Sequence, residues 1–189
     1  MHPFARTTFL TLTLAVGAGV AAADNPGSPS QPAKWVSRDV DFTYQGFTSQ
    51  YSCDGLRSDV VTILRAFGAR KKDLQVQITP CAALGNSEIS FSPGVRGTIS
   101  VLVPATAAEV SRGDPDIVAA HWKTVDLMRN RKLDSDHGGQ CELLEQSKRS
   151  LLPMFTTRNL DFTSNCIPHQ TFIGGMTFKV DVLQADPKA

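Results

Sequence analysis

The densest run of ligating and titratable side chains in this sequence is DSDHGGQCELLE, residues 134–145. Asp134, Asp136, Gly139 and Glu145 fall at positions one, three, six and twelve of a calcium-loop pattern. Gly138 at position five offers no side-chain oxygen, and Cys141 at position eight is wanted by a disulfide. The simpler reading is a polar loop whose Gly-Gly bend leads into a helix. No cofactor is expected on that reading, and calcium on Asp134, Asp136 and Glu145 is the alternative. Of the histidines, His137 beside Asp136 is the best-placed general base, whereas His121 and His169 are scattered. No G-x-S-x-G elbow or H-E-x-x-H framework accompanies them.

Four cysteines, Cys53, Cys81, Cys141 and Cys166, allow three disulfide connectivities. Cys166 and His169 have zinc-ligand spacing, but Leu84 stands at the related place after Cys81. A redox role would favour a close C-x-x-C pair, which is missing. Two structural staples, Cys53–Cys81 and Cys141–Cys166, are the expectation. Arg70 and Arg158 are the last candidates. Each stands just past a helix, where a cation interacts favourably with the helix dipole. Their functional reading is recognition of a phosphate or carboxylate.

The elements that must position these residues follow from periodicity. Val40, Phe42 and Tyr44 alternate with Asp41 and Thr43, as in a half-buried strand. Leu56, Val60, Ile63, Leu64 and Phe67 form one apolar stripe on a helix that starts at 52–54 and stops at Gly68. Leu74, Val76 and Ile78 alternate as a strand ended by Pro80. EISFS and TISVLV flank PGVRG and predict a hairpin. The second half repeats this plan. Cys53, Leu56, Leu64, Phe67 and Arg70 match Cys141, Leu144, Leu152, Phe155 and Arg158 at one offset of 88. A three-residue deletion then brings Leu74 near Leu160, Val76 near Phe162 and Cys81 onto Cys166. TFIGGMTFKVDVL supplies the second hairpin. Pro153 should end or kink the second helix, and a short helix is expected to start at 114–116.

The expected fold is therefore α+β. Two duplicated strand-helix-strand-hairpin units, 35–105 and 114–186, would form a single domain, with an antiparallel sheet packed on helices and stapled by disulfides. Ahead of it, residues 1–23 have the regions of a signal peptide, with small residues at Ala21 and Ala23. Residues 24–34 read as a flexible Pro/Ser/Gly leader. Loss of Arg6 takes the 19 basic residues to 18, equal to the 18 acidic ones. That balance argues against a nucleic-acid partner, and no later apolar run is long enough for stable membrane insertion. The expected function is a non-enzymatic, exported binding or interaction module, periplasmic or secreted, whose partner is an envelope protein or small ligand. The alternatives are an exported hydrolase built on the His137 loop and a calcium-stabilised structural module.

Overall fold

A computed structural model describes residues 29–47, 50–79, 89–90, 92–130, 133, 140–167 and 175–186. Strand β1 (Gln31–Thr43) begins earlier than the alternation at Val40 indicates, so Gln31 to Lys34, from the end of the Pro-rich stretch, are strand residues. Pro32 is tolerated because it lies at the strand start, where one missing donor costs little. After β2 (Tyr51–Ser52) comes helix α1 (Cys53–Ala66). The Ser52 side chain caps α1 by accepting from the Gly55 amide at 3.0 Å. All five residues of the expected stripe, Leu56 to Phe67, are fully buried. The chain leaves the helix at Gly68 with φ 95°, a conformation that suits glycine.

A 3-10 turn at Lys71–Asp73 leads to β3 (Gln75–Ile78), followed by β4 (Ile89–Ser90) and β5 (Gly94–Pro104). The expected first hairpin is not formed. β4 pairs with β2, β5 pairs with β1 and β3, and the glycines of PGVRG lie inside β5. Those glycines serve close approach instead of a turn. A Cβ on Gly97 would sit 1.8 Å from the Gln75 carbonyl oxygen, and one on Gly94 2.7 Å from Thr79 Oγ1.

The linker helix also lies elsewhere. α2 (Ala107–Arg112) is set by a capping box between Thr106 and Glu109, and Asp114–Asp116 form the turn after it. β6 (Ile117–Asp126) and α3 (Gln140–Ser150) follow. α3 gives way to a 3-10 turn at Leu152–Met154, where Pro153 falls. β7 (Thr157–Thr163) and β8 (Thr177–Ala185) are the last described strands, and residues 171–174 of the expected second hairpin lie outside the described residues.

The fold is α+β, with one antiparallel six-stranded sheet in the order β3-β5-β1-β6-β8-β7. β1 and β6 meet at the centre through only Gln31–Lys34 and Ile117–Ala120. Outward from this seam, each half has the same chain order: inner strand, helix, outermost strand, middle strand. One face of the sheet packs on α1 and α3. Val40 and Phe42 from β1, and Phe178, Val180 and Val182 from β8, join the helix stripes there. Phe67 and Phe155, which stand 88 residues apart, meet edge-on with centroids 5.4 Å apart. Among the described residues no helix is long and apolar enough to cross a membrane.

Candidate functional site

Strand alternation sends the neighbours of those core residues to the opposite face. There Ala33, Leu102, Ala120 and Leu183 form a second buried cluster, with Trp35 and Trp122 half-buried against it. Trp35 on β1 lies opposite Leu102 on β5, and Trp122 on β6 lies opposite Leu183 on β8. These are the only two tryptophans of the chain. Each carries an arginine on its ring. The Arg70 guanidinium is 5.0 Å from the Trp35 ring centroid, and that of Arg158 is 4.4 Å from Trp122.

The two arginines reach their rings the same way. The Arg70 amide bonds to Ser100 O on β5 at 2.9 Å, and Arg158 pairs with Asp181 on β8. Each side chain therefore crosses the middle strand to the tryptophan on the inner one, a span of about 9.6 Å for two strand spacings. A long, flat cation suits that task, and such stacks contribute about 0.5–1 kcal/mol at exposed sites. The registers differ locally. The first half inserts the Lys71–Asp73 turn after its arginine, whereas the second has a bulge, with a register shift between Arg158 and Asp161 and Asn159 at φ 51°. A bulge re-aims side chains, and here the Asn159 amide donates to Asp181 Oδ2 at 2.8 Å.

Both arginines have acidic neighbours. Arg70 Nη1 donates to Asp73 Oδ2 at 3.4 Å, and Arg158 Nε donates to Asp181 Oδ2 at 3.3 Å. Asp181 also accepts from Thr124 Oγ1 at 2.6 Å. Burial pushes the Asp181 carboxyl up, but hydrogen bonds from Thr124, Asn159 and Arg158 outweigh it and hold the group below the usual range. Its charge is thus shared among three donors.

The remaining candidates fall apart from this face. Asp134, Asp136, His137, Cys81 and His169 lie outside the described residues. Glu145 accepts from Ser164 Oγ at 2.5 Å, beside the disulfide. Among the described residues, no group of three or more His, Cys, Asp or Glu side chains could hold a metal ion. Cys141 and Cys166 are paired, with Cα atoms 5.8 Å apart, and Cys53 is also disulfide-bonded. His121 Nδ1 lies 2.6 Å from Asp186 Oδ1, and Ser30 donates to the other oxygen of Asp186 at 3.0 Å. This is a clasp joining Ser30, before β1, to Asp186, after β8. In a catalytic triad the base must reach the nucleophile, whereas here the carboxylate takes both partners.

Sequence reasoning named Arg70 and Arg158 but missed the tryptophans that seat them. The signal was available, since Trp35 and Trp122 stand 87 residues apart, one short of the arginine offset. No protein-family model, curated protein or solved structure matches this chain.

Proposed function

We propose that this chain is an exported, non-enzymatic binding module of the cell envelope, periplasmic or secreted, built from a duplicated strand-helix-strand-hairpin unit. It engages its partner through the sheet face that carries Trp35 and Trp122. The paired arginine–tryptophan stacks carry this reading. An open sheet face needs only polar residues to be solvated, yet both tryptophans of the chain are spent there, each at the matching place of its half. Export is supported by the signal-like N-terminus and by the disulfides, which persist in oxidising compartments. Duplication is supported by the shared strand order about the β1–β6 seam and by the contact of Phe67 with Phe155.

The test is an array of envelope glycans, lipid headgroups and peptides, probed with the mature protein and with a Trp35→Leu/Trp122→Leu variant. Binding that the variant loses while keeping its fold supports the reading. A blank array, or binding that the variant retains, refutes it.

A further inference from the structure

We infer that Arg70 and Arg158 are two equivalent receptors for the carboxylate or phosphate groups of an anionic ligand. The inference rests on the binding-face reading above and adds the chemical class of what binds there.

A guanidinium has five N–H donors, arranged in edges that match a carboxylate or phosphate in two parallel bonds. Arg158 uses only Nε, toward Asp181, which leaves the Nη1/Nη2 edge without a polar partner among the described residues. Arg70 uses only Nη1, toward Asp73, and its Nε/Nη2 edge is likewise open among them. Both existing bonds, at 3.4 and 3.3 Å, are longer than the 2.7–2.9 Å typical of charge-assisted pairs. Neither aspartate therefore saturates its arginine. Asp181 in particular is committed to Thr124 and Asn159 as well.

Access and rigidity are both present. The arginine side chains are 30 % and 46 % exposed, so an incoming anion meets them without opening the core. Seating on an indole ring removes most of the freedom an arginine would otherwise lose on binding, and such preorganisation raises affinity. Lys148 over Phe162, the third cation on a ring, shows the contrast. An ammonium has no bidentate edge, and no second copy of that pair is present among the described residues.

The arrangement supplies its own reporter. Each tryptophan lies under one receptor, so an anion that draws on the guanidinium changes the emission of the indole beneath it. The experiment titrates the mature protein at low ionic strength with inorganic pyrophosphate and, separately, with citrate, against chloride of matched ionic strength. The expected result is a saturable emission change for at least one of them. Arg70→Lys/Arg158→Lys keeps the charges but loses both bidentate edges, and should bind about tenfold or more weakly. Circular dichroism and the melting temperature establish that the variant is folded. Response to pyrophosphate alone identifies phosphate as the ligand group, and response to citrate alone identifies carboxylate. Flat titrations with both anions, or an equal response from the double lysine variant, overturn the inference. If the anions are silent but an array ligand still requires Trp35 and Trp122, the ligand class is wrong and the binding face stands. If the array is also blank, both fail.

Discussion

Tyr44→Phe tests the lock between the two halves of the molecule. Tyr44 is 1 % exposed and donates its hydroxyl to Glu142 Oε2 on α3 at 3.0 Å; the same oxygen accepts the Phe47 amide at 3.0 Å. A reciprocal pair, Gln45 N to Gln146 Oε1 at 2.9 Å and Gln146 Nε2 to Gln45 O at 2.8 Å, fixes the same segment one helical turn further on. Phenylalanine keeps the ring and its burial and removes only the hydroxyl. A buried hydrogen bond to a charged group contributes about 1.5–3 kcal/mol, so a loss near 2 kcal/mol is expected. For a domain of this size that lowers Tm by about 4–8 °C.

The pH dependence separates this account from simple loss of packing. Burial first, then the hydrogen bond to Glu142, its charge and that of Tyr51, push the Tyr44 hydroxyl well above its ordinary range. A raised folded pKa contributes stability that is complete below the unfolded value of about 10 and is lost as pH climbs past it. From pH 9 to 11 the advantage of tyrosine over phenylalanine should therefore shrink by about 1.4 kcal/mol, the integrated linkage for a group that titrates midway through that interval in the unfolded chain and stays protonated in the folded one. Lysines titrate there too, but equally in both proteins, so the difference isolates Tyr44. Urea unfolding of both proteins at pH 8, 9, 10 and 11 reads it directly. Equal stability at pH 8, or a gap that stays constant to pH 11, would refute the reasoning.

Gly46→Ala should damage the same lock, because the new Cβ would lie 2.1 Å from Tyr44 Oη and 2.3 Å from two carbons of its ring; we expect a loss of about 1–3 kcal/mol in urea unfolding, and one that persists when Tyr44→Phe is already present, since phenylalanine keeps the ring. Cys141→Ser/Cys166→Ser opens a loop with a sequence separation of 25. The chain-entropy relation gives about 3.5 kcal/mol for that closure, to be checked by urea unfolding of the variant against the oxidised parent. Gly97→Ala forces β3 off β5 at the Gln75 carbonyl. Overpacking should cost about 1–3 kcal/mol, and hydrogen exchange at 75–78 should accelerate more than at the β1–β5 pairs.

The sequence by itself determined the local elements and their chemistry. The α1 stripe, the Gly68 exit and the break of α3 near Pro153 are set by neighbours within a few residues, so periodicity and backbone stereochemistry suffice to find them. The expected pairing of Cys141 with Cys166 is the one the structure has. Capping was legible as well: T-x-x-E at 106–109 marks the start of α2, and an expected start at 114–116 overlooked it. What only the tertiary structure decided is which strands become neighbours. PGVRG is a plausible turn by composition, yet its glycines answer to Gln75 on β3 and Thr79 just after it, outside the segment itself. The same holds for the candidate site. Nothing near Arg70 or Arg158 in the chain announces a tryptophan, because each pair joins residues 35 or 36 positions apart. The stacking follows from the sheet order, which puts one middle strand between the arginine and its ring, and that order is settled only when both faces of the sheet are covered or solvated at once.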